Sequence, residues 1–238
     1  MLFAAVFCGF LAENIREHQI EHQREKKYMV SLLDNLEADS IMLTSYSESV
    51  KKQIRGLDTL IKALRYSLLE KKALAYVYVI YMKYGLQMIN VHFNENTIVQ
   101  LKNAGGFRII RKDNVIDMLN TYEYTKSIVN KDRDETSKLI IDLERNWANS
   151  IFDFTNEASV LKFFEISSFG LNNTDSLINI AKKDSLVLID KTQSRIPTFR
   201  NNLQSLKSLD TDYDYWINLC RQRNSELRAL IKKEYHLK

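Results

Sequence analysis

One apolar stripe runs through residues 29–68, which read MVSLLDNLEADSIMLTSYSESVKKQIRGLDTLIKALRYSL. Its large apolar side chains recur at multiples of three and four residues, the spacing of neighbours on one face of an α-helix. Ser40 and Ser47 fill positions that the stripe skips. The pattern predicts one long stalk helix or two helices joined near Gly56, because glycine costs about 1 kcal/mol relative to alanine within a helix without forbidding it. The stripe consists of Met29, Leu33, Leu36, Leu43, Val50, Ile54, Leu57, Ile61, Leu64 and Leu68.

The composition of the whole chain also favours helices. Its 238 residues include only six glycines and one proline, so few positions are marked for tight turns. A hydrophobic content of 45% is ample for a buried core. We therefore expect an all-α fold, a long-helix bundle over residues 29–238 with an extended N-terminal stalk helix, and more than half of the chain in helices.

Two further stripes predict the remaining long helices. The first keeps one face from Val115 to Trp147 and predicts a second long helix. The second begins at Leu209 and continues to Ile231 on a single face, which also carries Tyr213, Trp216, Cys220 and Leu227. Between these stripes, residues 166–185 collect Ser, Asn, Asp and Gly and predict a loop-rich end of the domain.

Shorter signals indicate where helices start and stop. In residues 94–106, NENTIVQLKNAGG, Thr97 and Gln100 have the spacing of a capping box, and the glycine pair predicts the end of a short helix. This segment is expected to form a helical hairpin corner. Pro197 is expected to break the helical pattern around it.

The first twelve residues, Met1 to Ala12 (MLFAAVFCGFLA), carry no charge and pass directly into a charged stretch at residues 13–28. Twelve helical residues cover about 18 Å of a hydrocarbon core of about 30 Å. We interpret them as the C-terminal part of a transmembrane helix, followed by a charged juxtamembrane helix. The alternative is an apolar helix end buried in the domain or in an oligomer. A second apolar run, residues 73–82 (ALAYVYVIYM), is compatible with a span, a strand or a buried helix, and its early interruption by Lys83 favours the core.

The sharpest chemical motif is a zinc pattern. His18, Glu21 and His22 fit H-x-x-E-H, in which two histidines one turn apart hold the metal and the glutamate acts as base. A zinc peptidase also needs a third ligand and a cleft, whereas this segment lies in a charged collar beside an apolar run. No other catalytic or cofactor motif occurs in the sequence. We therefore expect no enzyme and assign no catalytic, cofactor-binding or metal-binding residues.

Charge and cysteine usage narrow the partners. The net charge of +4 is small and spread along the chain, so we expect no nucleic-acid binding. The two cysteines cannot form a disulfide framework. Both Cys8 and Cys220 lie on apolar stretches and are interpreted as small buried hydrophobes rather than nucleophiles.

Four short stretches occur in a distinctive order along the chain. They are AENIRE at residues 12–17, EKKYMVSLLDNLEADS at 25–40, NTIVQLKNAGGFRII at 96–110 and LIKKEYHLK at 230–238. Their order resembles an uncharacterised Bacteroidetes family of single-span, membrane-anchored helical proteins, known as a domain of unknown function. The resemblance covers nearly the whole chain and carries no assigned catalytic residues.

The resemblance implies a bacterial inner-membrane protein whose helical domain lies in the periplasm. Arg16, Arg24, Lys26 and Lys27 argue instead for a cytoplasmic domain, because positive residues flank membrane helices on that side. We expect a membrane-anchored interaction or scaffold protein of the cell envelope. It would contact the lipid bilayer through residues 1–12 and itself or a protein partner through the amphipathic stalk. The alternatives are a ligand-sensing helical domain and, least favoured, a zinc-dependent hydrolase.

Overall fold

The computed structural model describes residues 2–103, 106–131, 133–134, 138–154, 174–183 and 186–237. Helix makes up 80% of the structure, and the described ranges contain no strand beyond an isolated bridge between Phe152 and Leu188. The prediction of an all-α chain that is more than half helical is confirmed. The arrangement of the helices as one bundle over residues 29–238 stays a prediction.

Seven α-helices and some shorter helical turns occur in these ranges. The α-helices, numbered in chain order, are α1 (Leu2–Ala63), α2 (Lys71–Ile80), α3 (Asn96–Asn103), α4 (Asp113–Lys131), α5 (Lys138–Asn149), α6 (Thr174–Ala181) and α7 (Ile196–Glu234). A π-helical turn, Tyr81–Gly85, follows α2, and a 3-10 turn, Gly106–Ile109, follows α3.

Helix α1 passes through Gly56 without a break, so the continuous form of the predicted stalk helix is the correct one. Most of its apolar stripe is buried, whereas Leu33 and Ile54 are only partly buried. Gly56 is itself buried, because the Tyr84 ring occupies the place where a Cβ atom would stand. Glycine at this position leaves room for an aromatic ring against the helix backbone.

The chain folds into two compact units, each assembled from separate stretches of sequence. Unit 1 contains Met1–Ser45, Val91–Ile128 and Ile217–Lys238. Its apolar core draws on α1, α3, α4 and α7, whose buried members there include Leu32, Leu36, Leu43, Leu101, Leu119 and Leu227.

Unit 2 contains Tyr46–Asn90 and Val129–Trp216. Its core is built around α2, which is buried from Leu74 onward except at Tyr76, as predicted for the apolar run at residues 73–82. Five rings of this core pack with centroid separations between 5.4 and 6.3 Å. We call them the aromatic cluster, which consists of Tyr78, Tyr81, Phe152, Phe154 and Phe199.

The buried positions of α7 alternate at intervals of three and four residues, the spacing of a coiled-coil seam. Two polar residues, Asp210 and Asn224, occupy this seam. Leu209 and Trp216, which the sequence placed on the buried face, are only partly buried. Pro197 was predicted to break the helical pattern, and this prediction was wrong. It lies in the first turn of α7, where its missing N–H has no intrahelical partner to lose.

The predicted second long helix, residues 115–147, is not continuous α-helix in the described ranges. Helix α4 ends at Lys131 and α5 begins at Lys138, and Arg133 and Asp134 between them have π-helical geometry. Residues 132 and 135–137 lie outside the described ranges. Arg133 is buried and donates from Nε to the Ile89 carbonyl at 2.8 Å. The spacing of apolar residues does not predict that Arg133 is buried on the same face.

Two local predictions were wrong. Thr97 is not a capping residue, since it lies inside α3. Its hydroxyl accepts a hydrogen bond from the Asn35 side-chain amide at 2.6 Å and shares one with the Ser31 hydroxyl at 2.9 Å. Part of the region predicted to be loop-rich is helical, because α6 has an apolar face that includes Leu177 and Ile178. Residues 166–173 of that prediction lie outside the described ranges.

Candidate interaction site at the start of the first helix

The first three turns of α1 expose large apolar side chains. The exposed fractions are 86% for Phe3, 67% for Val6, 55% for Phe7, 71% for Phe10 and 42% for Leu11. These residues follow one another at three- and four-residue spacing, so they lie on one side of the helix. We call them the apolar tip. Contiguous exposed apolar surface of this kind is typical of sites that contact a partner or a lipid surface.

None of the helices in the described ranges has a stretch that is both long and apolar enough to cross a membrane.

The charged collar follows the apolar tip along α1, at residues 13–24. Every side chain from Val6 to Arg24 is exposed, and the next one, Glu25, is buried. Helical segments without packing partners are marginally stable in water, because most helix stability in proteins comes from burial of one face. The tip and collar therefore form a helical arm whose stability depends on what it contacts.

Arg111 pairs with two of the three residues of the zinc motif, His18 and Glu21. Its Nη2 atom lies 3.0 Å from His18 Nδ1 and donates to Glu21 Oε2 at 3.0 Å. The positive charge of the Arg111 guanidinium attracts the Glu21 carboxylate and repels a second cation at the same place. Among the described residues, no group of three or more His, Cys, Asp or Glu side chains is arranged to hold a metal ion.

Glu25 fixes the base of the helical arm. Its Oε1 atom accepts hydrogen bonds from the Tyr235 hydroxyl at 2.6 Å and from the Arg111 backbone N–H at 2.8 Å. His22 Nδ1 lies 3.5 Å from the other carboxylate oxygen. Burial raises the pKa of Tyr235, and the nearby Glu25 carboxylate raises it further, so the phenol keeps the proton that it donates. These contacts join α1 to the segment before α4 and to the end of α7.

A second polar cluster lies inside unit 1. Asp39 accepts from the Tyr122 hydroxyl at 2.9 Å and from the Asn94 backbone N–H at 2.8 Å, so both carboxylate oxygens have a partner. Burial raises the pKa of Asp39, and the hydrogen bonds from Asn94 and Tyr122 limit the rise. Asn224 donates to the Leu36 carbonyl at 2.9 Å. The arrangement ties α1, α4 and α7 together within the unit and is structural in character.

The two cysteines differ in environment. Cys220 is fully buried, as predicted, and burial raises the pKa of its thiol to about 12. A thiol with that pKa is almost entirely protonated at neutral pH and is not a nucleophile. Cys8 is exposed on the helical arm, so its interpretation as a buried hydrophobe was wrong for the structure described.

Unit 2 contains a cavity of about 790 Å³ between the end of α1, the start of α2 and α6. Its volume falls within the range typical of small-molecule sites. Tyr76, from the group of tyrosines in the second apolar run, lines it, whereas Tyr78 and Tyr81 belong to the aromatic cluster. The other lining residues are Thr59, Lys62, Ala63, Tyr66, Glu70, Lys72, Ala73, Val77, Asp175, Ile178, Asn179 and Lys182.

No protein-family profile, curated protein or solved structure matches this chain. The fold and the site together define a general class, an all-helical protein whose first helix exposes an apolar tip and a charged collar.

Proposed function

We propose that the protein is a membrane-tethered helical scaffold without catalysis, which inserts the apolar tip into a lipid bilayer and offers its helical units to a protein partner. One observation carries the proposal: Phe3, Phe10 and Val6 are each at least two-thirds exposed on a single helix side. The charged collar that follows would remain in the headgroup region, since charged side chains avoid the hydrocarbon.

The tip residues by themselves contribute enough free energy for reversible binding to a bilayer. Burying a large apolar side chain fully is worth about 1.5 to 3 kcal/mol, so the five partly exposed residues of the tip offer roughly 5 to 10 kcal/mol. A single myristoyl chain, which also binds bilayers reversibly, reaches an association constant of about 10⁴ M⁻¹. We expect the tip to behave in the same range and to be strengthened by self-association of the protein.

Flotation with liposomes tests the proposal. The whole chain is expected to float with phosphatidylcholine vesicles, and a variant with Phe3→Ser, Phe7→Ser and Phe10→Ser is expected to stay at the bottom of the gradient. A matched control replaces three other exposed apolar residues, Ile41, Tyr66 and Leu69, with serine. These side chains are 67%, 75% and 73% exposed, so the control removes comparable apolar surface away from the tip.

Circular dichroism of each variant confirms that helix content is retained. Equal flotation of the tip variant and the control variant would contradict the proposal, as would a whole chain that stays a monodisperse monomer without detergent and does not float. Placement in the bacterial inner membrane with a periplasmic domain is part of the proposal and rests on the family resemblance. An alkaline phosphatase fusion that is inactive in cells would exclude that orientation.

A ligand-sensing domain is the second candidate, and the cavity of unit 2 favours it. Small molecules bind between the helices of many helical proteins. The test is a thermal-shift screen of a metabolite collection against the whole chain and a Val77→Trp variant that fills the cavity. A compound that stabilises the whole chain but not the variant supports this candidate, whereas equal shifts in both exclude the cavity as its site.

A further inference from the structure

Glu144 is a buried titratable group of unit 2. It lies on α5 and is 0% exposed. Neither carboxyl oxygen has a hydrogen-bond partner among the described residues. A buried ionised carboxylate without partners is strongly disfavoured, whereas the neutral acid avoids most of that penalty.

The surroundings of Glu144 are apolar and aromatic. Tyr81 is the titratable group that faces it from the turn after α2, and the Tyr81 ring packs 5.9 Å from Phe152 and 5.7 Å from Phe199, measured between centroids. Arg145 is the charged neighbour on α5 itself. Glu144 therefore lies at the edge of the aromatic cluster, with its side chain fully buried.

Burial raises the pKa of Glu144 from its ordinary value of 4.5 to about 8. The Tyr81 hydroxyl and the Arg145 guanidinium partly offset this rise, although Tyr81 does not reach hydrogen-bonding geometry with either oxygen. The carboxyl of the folded protein is thus protonated at neutral pH and loses its proton in mildly alkaline solution.

We propose that Glu144 is a proton-operated latch, which holds α5 against the aromatic cluster while its carboxyl is protonated and releases α5 when the carboxyl ionises. Release lets the carboxylate reach water. The opposite side of α5 already faces solvent, since Asp142 is exposed and Leu143 is 50% exposed, so an outward shift of the helix breaks few contacts on that side.

The direction of the pH effect follows from the two protonation states. The pKa of Glu144 in the folded protein lies above its value in the unfolded chain. The packed state is therefore most stable below about pH 4.5, and its stability falls as the pH rises to about 8. Local opening of α5, rather than global unfolding, is the expected response because only one helix must move to hydrate the charge.

Trp147 provides a reporter one turn from Glu144 on the same helix. We would record its fluorescence from pH 6 to 10 in the whole chain carrying Trp216→Phe, which removes the other tryptophan. The emission is expected to shift to longer wavelength with a midpoint below pH 8, because release of α5 lets the carboxyl ionise more readily than it does in the packed state. Adding Glu144→Gln should abolish the shift, and adding Asp142→Asn, a neutralisation of an exposed carboxyl on α5, should leave it unchanged.

Nuclear magnetic resonance of ¹³C-labelled glutamate carboxyls gives a second readout that does not depend on a Glu144 variant. A carboxyl that titrates well above pH 4.5, at the same midpoint as the fluorescence, supports the latch. A pH-independent Trp147 emission, a transition that persists in the Glu144→Gln variant, or the titration of every glutamate near 4.5 would each overturn it. Circular dichroism across the range separates release of α5 from unfolding of the chain.

Discussion

Replacing Gly56 with alanine tests how closely Tyr84 packs against α1. A Cβ atom at Gly56 would overlap three atoms of the Tyr84 ring, well inside the 3.0 Å limit that real Cβ contacts respect. Alanine gains about 1 kcal/mol over glycine in a helix interior, but forcing an extra carbon into a packed site typically costs about 1 to 3 kcal/mol. We therefore expect Gly56→Ala to leave unit 2 unchanged or to destabilise it by up to about 2 kcal/mol.

The Tyr84 ring is the reason for the expected loss of stability. Removing the ring should therefore change the effect of Gly56→Ala from destabilising to stabilising. In a Tyr84→Ala background, Gly56→Ala meets no ring and is expected to stabilise the protein by about 1 kcal/mol through helix propensity alone. The coupling between the two substitutions then measures the overlap and should amount to about 1 to 3 kcal/mol. Gly9→Ala is the matched control on the same helix, because nothing lies within 4 Å of its added carbon.

Urea denaturation followed by tryptophan fluorescence is a suitable assay, since Trp147 and Trp216 both belong to unit 2. The unaltered protein, the Gly56→Ala variant, the Tyr84→Ala variant and the double variant form a double-mutant cycle. Their free energies of unfolding should depend on urea concentration with the same slope, so that differences in midpoint report differences in stability. A coupling below about 0.5 kcal/mol would refute the reasoning, because substitutions without contact are additive within that margin.

Further predictions concern thiol reactivity, the buried ion pair and the aromatic cluster. Under native conditions Cys8 should react with Ellman's reagent within minutes, while Cys220 should react only after denaturation; two fast thiols would contradict its burial. Arg133 Nη1 lies 3.0 Å from Asp210 Oδ1, and both side chains are buried. Arg133→Met should therefore lower the free energy of unfolding by about 3 to 5 kcal/mol, because it leaves the Asp210 carboxylate buried without this partner, and adding Asp210→Leu should recover much of that loss. Phe199→Ala should lower stability by about 3 to 5 kcal/mol, and a loss below about 1 kcal/mol would show that the ring is not in a packed core.

The extent to which sequence predicts this fold follows from how local each interaction is. The 3-4 spacing of α1 is local, and it predicted both the helix and most of its buried face. Thr97 was misassigned because its real partners, Ser31 and Asn35, lie 66 and 62 positions away. Local capping rules contain no information about such partners.

The base of the helical arm was missed for the same reason. Glu25 was grouped with surface charges, yet its partners Arg111 and Tyr235 are 86 and 210 positions away. A signal existed in the spacing, since Glu25 and Asp39 fall four and three residues from the buried Met29 and Leu36 and so share their face. A charged residue on an apolar stripe indicates a buried partner, although the stripe alone does not identify which residue supplies it.

The pairing of Glu25 with Tyr235 has a consequence for synthesis. A ribosome adding about 5 to 20 residues per second needs roughly 10 to 40 s to travel between these two positions. When Trp216 is added all of unit 2 has been synthesised, whereas unit 1 still lacks Ile217–Lys238. Until then the apolar face of α1 that carries Leu32 and Leu36 lacks its packing partner from α7. Bringing Glu25 and Tyr235 together closes a long loop, which adds an entropic cost. The nascent chain therefore exposes this apolar helix face for most of its elongation.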